Sequence, residues 1–342
     1  MRHVFLQQER AMKNLLKSWI AGTALLSISA TAGWAEEANL ILNWTPGADH
    51  APIYYALEQG WYADAGLDLK ANSGKGSGLA AQTVGTGSSE FGIAELGTAF
   101  VAKSKGADLT AIMVLYANSP LTLYWKKSSG MKGPKDFAGH TLGNPPGDAA
   151  RVLWPAFAKA VGLEDGSVSF VNLAPPAKNP SLAADRVDII SEFYNGHDAK
   201  VAAFGDDLAF LRWSEYGINP YGNSFIVNTA YMKENPEAVA TFVSVTQRAY
   251  SACVEDPKPC VDALMAAASG LDEKAMYDQW TRVKDLMADK TTTTEGLGFF
   301  DGERIQNTYD LIETYFGMEK PFDPADAYTN EYLDGSQKMT AQ

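Results

Sequence analysis

The chain is poor in cysteine, in histidine and in positive charge. It holds two Cys and four His in 342 residues. Two Cys exclude a disulfide-framed miniprotein and do not complete a zinc site alone. Lys plus Arg number 28 against 41 Asp plus Glu, a formal charge of −13. Such a chain repels a phosphate backbone, so no nucleic-acid partner is expected. No basic run follows the first twenty residues. Long apolar runs are also missing. The run from Trp19 to Ala32 has 14 residues, short of the roughly 20 that span a bilayer. There is no Gly-x-Ser-x-Gly elbow, no His-Glu-x-x-His helix, no fixed-period repeat and no low-complexity tract. What remains is ordinary globular composition, 46% hydrophobic and 20% charged. It suffices for one large core or two smaller ones.

The N-terminus has the pattern of an export signal. Arg2, Arg10, Lys13 and Lys17 precede the apolar run, and Gly33 and Ala35 sit at −3 and −1 of a cut before Glu36. A cleaved signal over 1–35 is expected, with Met12 as an alternative start and an uncleaved anchor as the competing reading. No Cys near the cut supports lipid attachment. Export permits a disulfide between Cys253 and Cys260, seven positions apart with two prolines between. Two reduced thiols are the alternative.

Downstream, strand and helix patterns alternate. Strands are predicted at 39–47, 67–72, 89–95 and 109–116, with helices starting near Ala51, Leu79 and Gly97. This rhythm predicts layered α/β architecture. A charged, Gly- and Pro-rich stretch at 126–139 marks a change of domain. Strands follow at 141–144, 168–175 and 224–229. A helix is expected from Asp148 to Val161 with a break near Pro155, and a long one after Pro236 in its first turn. The region 260–332 reads as mostly helical, and the final ten residues as frayed.

The segment NWTPGADHAPIYYALEQGWYADAGLDL (43–69) resembles the opening of solute-binding proteins of ABC importers, in the nitrate/sulfonate/taurine superfamily. Asn43, Trp44, Pro46, His50 and Gly60-Trp61-Tyr62 carry the likeness to its thiamine-pyrimidine-precursor (NMT1/THI5-like) branch, with Gly47 where Asn is common. SGKGSGLAAQTVGTGSSEFGIAE (73–95), 136–163, 182–196 and 221–250 continue it. The resemblance implies a type II periplasmic-binding-protein fold: 38–122 plus 224–335 as one lobe, 123–223 as the other, a two-crossover hinge, and a flexible tail at 336–342. It implies a monomeric periplasmic receptor with a small-molecule ligand, an inner-membrane ABC permease with its ATPase as partner, no cofactor, no metal and no catalysis. A synthase-like enzyme and a receptor for an aromatic acid, a sulfonate, a riboflavin-like ring, an amine or another small organic solute are the competing functions.

Site candidates follow from residue type and place. Trp44 stands just past a strand, where an indole can stack on a flat ring. His50 can donate a hydrogen bond or hold its loop. Gly76 and Ser77 open a helix, where backbone N–H groups bind anionic or carbonyl oxygens. Glu95 ends a strand and can accept from a ring amine. Tyr116 and Asn118 lie where the chain leaves the first lobe. Asn144, Asp148 and Arg151 surround a Gly-rich turn. Glu192, Tyr194 and Asn195 cluster at a strand end, with Phe193 expected to point into the core. Trp125, Trp154, Trp213 and Trp280 are read as packing residues. The mixture favours a neutral or cationic planar ligand over nitrate or sulfonate.

Overall fold

Buried apolar runs form the centre of two five-stranded sheets. A computed structural model describes residues 35–316 and 318–339; the expected signal over 1–35 lies outside them except for Ala35. The first sheet uses β1 (Glu36–Ile41), β2 (Leu67–Asn72), β3 (Phe91–Glu95), β4 (Leu109–Val114) and, much later, β10 (Asn223–Asn228). Its order is β2-β1-β3-β10-β4. β1 runs parallel to β2 and β3, whereas β10 inserts antiparallel between β3 and β4. The central strands β3, β4 and β10 are buried on both faces, hence FGIAE, LTAIMV and NSFIVN lack a polar alternation.

The second sheet takes β5 (Leu121–Lys126), β6 (Thr141–Asn144), β7 (Ser169–Asn172), β8 (Ile189–Phe193) and β9 (Leu208–Arg212) in the order β7-β6-β8-β5-β9. β5 is antiparallel to both of its neighbours. Two lobes result, and the chain passes between them after β4 and before β10. These crossovers are tied together: Gly222 donates to Tyr116 O at 2.8 Å, and Leu115 to Asn223 O at 2.8 Å.

The helices that shape the site are α1 (Ala51–Glu58), α2 (Ser77–Gly85), α3 (Leu96–Ser104), α4 (Ala149–Val152), α5 (Trp154–Val161), α6 (Lys178–Ala183) and α7 (His197–Phe204). After β10 come α8 (Pro236–Glu255), α9 (Lys258–Ala267), α10 (Glu273–Met287) and α11 (Gly302–Phe316). The expected break near Pro155 falls between α4 and α5, and Pro236 opens α8. Met276, Trp280, Val283 and Leu286 bury one face of α10 in the first lobe's core. A bridge joins Cys253 of α8 to Cys260 of α9, with Cα atoms 6.0 Å apart. Trp125, Trp154, Trp213 and Trp280 are buried in packing positions. The region 260–332 is mostly helical as expected, and one expectation changes. The tail is not frayed as far as Met339, which is 4% exposed and donates its backbone N–H to Thr292 O at 3.1 Å.

Candidate functional site

The loops after β1, β2, β6 and β8 meet between the lobes, at the carboxyl ends of parallel strands where α/β sheets open to ligands. They enclose a cavity of about 240 Å3. Of the residues singled out by sequence, it brings together Trp44, Gly76, Ser77, Asp148, Glu192 and Asn195. Gly76 holds φ 128°, and a Cβ there would lie 2.2 Å from Gly147 O. Only glycine lets this loop approach the facing lobe so closely. Gly78 of α2 then donates to Gly147 O at 2.9 Å, across the cleft. A wider groove of about 970 Å3, lined by Leu79, Val101 and Pro145 among others, also reaches this glycine contact.

Trp44 is half-buried on the first lobe. Lys178 of α6 reaches it from the second lobe, its Nζ 4.4 Å from the ring centre, a cation–π contact. The same Nζ donates to Ser191 O at 2.7 Å and pairs with Glu192 Oε2 at 3.2 Å. Lys200 pairs with that oxygen at 3.1 Å. Burial would raise the Glu192 pKa, but the two ammonium groups outweigh it and hold the carboxyl down at about 2. Asp148 caps α4 by accepting from Ala150 N at 3.0 Å and accepts from Ser191 Oγ at 2.9 Å. Burial pushes its pKa up, against the opposing pull of Lys178 and Ser191.

The other candidates stand off the cavity wall, and each has a structural occupation. His50 Nδ1 accepts from Gly47 N at 3.1 Å, so Nε2 carries the proton and donates to Asn43 Oδ1 at 3.0 Å. Burial lowers its pKa, opposed by Asp49, which keeps the ring neutral. Glu95 caps α3: it accepts from Gly97 N, Thr98 N and Thr98 Oγ1. Burial raises it to about 7 against those bonds. Ser77 Oγ accepts from Glu95 N at 3.0 Å, which links the cap to the cavity wall. Tyr116 and Asn118 belong to the hinge, where Asn118 Nδ2 donates to Ala288 O at 3.0 Å. Asn144 lies under the wall and donates to Ser191 Oγ at 3.1 Å. Arg151 turns outward to Asn172 Oδ1 at 2.6 Å and stacks on Phe170. Tyr194 is held between Arg212 and Arg282, 4.4 and 4.9 Å from its ring centre.

Phe193, expected in the core, packs against the cores of both lobes and also lines the cavity, at the end of β8. Asn43, Asp49, Lys200 and Gln279 line it too. Asp49 adjoins His50 in a segment already singled out, so proximity was a usable signal. Lys178, Lys200 and Gln279 gave none, since each is brought in by an element distant in sequence. Among the described residues, no group of three or more His, Cys, Asp and Glu is placed to hold a metal, and no helix is long and apolar enough to cross a membrane.

Two α/β lobes, two crossovers and a polar-aromatic cavity at the strand ends define the type II periplasmic-binding-protein class. The chain matches the NMT1/THI5-like family over residues 47–259, more than half its length, and belongs to it. It is 21% identical over 299 residues to the formylaminopyrimidine-binding protein of Halalkalibacterium halodurans, covering 86% of this chain and 90% of that one. It is 23% identical over 303 residues to the 4-amino-5-hydroxymethyl-2-methylpyrimidine phosphate synthase of Legionella pneumophila, covering 86% and 91%. The alkanesulfonate-binding protein SsuA of Xanthomonas axonopodis pv. citri, solved with MOPS bound, superposes with a TM-score of 0.66 at 15% identity, covering 86% of this chain and 98% of that one.

Proposed function

We propose that the chain is a periplasmic receptor that binds a small planar heterocycle bearing an amino group, such as a thiamine-pyrimidine precursor, and hands it to a membrane permease driven by an ATPase. The carrying observation is the charge balance of the Trp44 cavity. Three carboxylates, Asp49, Asp148 and Glu192, face it against Lys200, and Lys178 lies behind them. Carboxylates outnumber ammonium groups, so a neutral or cationic ring is favoured and an anion is opposed. The volume of about 240 Å3 is below the usual range for drug-sized ligands. It suits one ring with short substituents rather than a tricyclic ring with a polyol chain. The formylaminopyrimidine named for the Halalkalibacterium relative is of that size and type.

An anionic solute is the competing reading, supported by the likeness to a sulfonate-binding structure. Lys200 and Lys178 are the cations for it, but both already pair with Glu192. A synthase-like reaction, as in the name of the Legionella relative, has less support. Both cysteines are joined in the bridge, and His50 is committed to Gly47 and Asn43.

Calorimetric titration of the purified chain with an aminopyrimidine, an alkylsulfonate and an aromatic acid tests the reading. Saturable binding is expected for the pyrimidine, with a weakening of about tenfold or more in Trp44→Ala from lost stacking. Tighter binding of either acid would overturn it.

A further inference from the structure

We infer that Gly47, Asp49 and Gln279 form an acceptor subsite that takes an amine or other N–H donor group of the bound solute. The inference rests on reading the cavity as a solute site and narrows what that solute carries. Gly47 has φ −149° and ψ −179°. This is extended backbone open to any residue, so the main chain does not call for glycine here. A Cβ at this position would lie 3.3 Å from Asp49 Oδ1 and 3.3 Å from Gln279 Oε1. Two acceptor oxygens thus converge on the space that glycine leaves, and all three residues line the cavity.

Asp49 is 4% exposed, and a carboxylate so buried requires donors. Among the described residues its side chain accepts one long hydrogen bond, from Asn223 Nδ2 at 3.4 Å, and the buried Tyr116 hydroxyl faces it as a second donor. His50 Nδ1 lies 3.5 Å from Asp49 Oδ1. That nitrogen already accepts from Gly47 N–H, so it has no proton to offer. Gln279 Oε1 accepts one long bond, from Ala48 N at 3.3 Å, and keeps a second lone pair. Among the described residues, Lys178 pairs with Glu192 and Asp148, Lys200 pairs with Glu192, and neither pairs with Asp49. The convergence point therefore has acceptors on two sides and, among the described residues, no neutralising cation. An amine satisfies both oxygens, whereas a carboxylate or sulfonate meets like charge.

Titration calorimetry with two matched pairs of probes tests this: 4-aminopyrimidine against pyrimidine, and benzylamine against benzyl alcohol. In the unmodified chain each amine is expected to bind at least about tenfold tighter than its partner. Asp49→Asn should reduce that preference to near unity. Gly47→Ala, which removes no donor or acceptor from the loop, should weaken the amines several-fold by filling the space. The unfolding temperature of each unliganded variant shows that it is folded. If the pyrimidines bind with no amine preference, or the preference survives both substitutions, the subsite is overturned and the heterocycle reading stands. If benzylamine binds in an Asp49-dependent way while neither pyrimidine binds, the subsite stands and the heterocycle reading falls. Failure of all four probes overturns both.

Discussion

Glu192 receives two ammonium groups on one oxygen, Lys178 at 3.2 Å and Lys200 at 3.1 Å, both lysines nearly fully buried. Removing the carboxylate charge would leave two buried cations facing each other. Glu192→Gln is therefore expected to lower the unfolding free energy at neutral pH by about 3 kcal/mol, read from urea denaturation. The pH dependence has a definite sign. The folded pKa of about 2 lies below the ordinary 4.5. The stabilisation is thus complete above pH 4.5 and is lost as pH falls from there towards 2. The variant should lack that segment of acid destabilisation. Equal slopes in the two proteins would mean that Lys178 draws its stability from Ser191 O and Asp148 instead. At this scale the sequence was a partial guide. Trp44 and Glu192 stood out because each stands at or just past the end of a strand with a chemically distinctive side chain. Lys178 did not, since nothing in PPAKNPSL shows that α6 will carry its ammonium onto an indole of the other lobe.

Elements whose boundaries are set by local chemistry were readable. LDLKAN and TLGN are β2 and β6 at the predicted limits, and proline positions marked the starts of α5 and α8. β5 and β9 were not resolved as strands, because their partners are fixed far away: β5 pairs antiparallel with β8 and β9, and Leu121 faces Phe193. No local pattern encodes such a register. The α8–α9 corner shows the opposite case, where the sequence spacing sufficed to propose a bridge. Cys253 and Cys260 close a loop of only a few residues, for which the chain-entropy estimate is about 2.5 kcal/mol. Replacing both with Ser should lower the stability by about that amount in guanidinium unfolding and leave ligand affinity unchanged, since neither Cys lines the cavity. A loss of affinity would show that α9 and the cavity are coupled through the contacts of α9 with α1 and α10.

Across the whole molecule, the lobes touch at separate points around one cavity. Gly78 meets Gly147 at the α2 end of the cavity. Lys178 meets Trp44 at its wall. Beyond β8, Arg282 of α10 forms a two-pronged ion pair with Asp198 of α7 and donates to Tyr194 Oη at 3.0 Å. Opposite them, Arg304 of α11 lies 4.1 Å from the ring centre of Tyr221 and donates to Ala117 O, so one guanidinium holds both crossover segments. The geometry separates a pivot, at Arg304, from contacts that exist only while the lobes are together. The Arg282–Asp198 pair is partly exposed, with side chains 24% and 35% accessible, so screening limits it to about 1 kcal/mol. That still shifts a two-state equilibrium about fivefold. Asp198→Asn is thus expected to increase the radius of gyration of the ligand-free chain in small-angle scattering and to speed solute release about fivefold. Arg304→Ala acts on the pivot and should instead lower the unfolding temperature. If Asp198→Asn leaves both scattering and release unchanged, closure is governed by the glycine contact and the Trp44 wall alone.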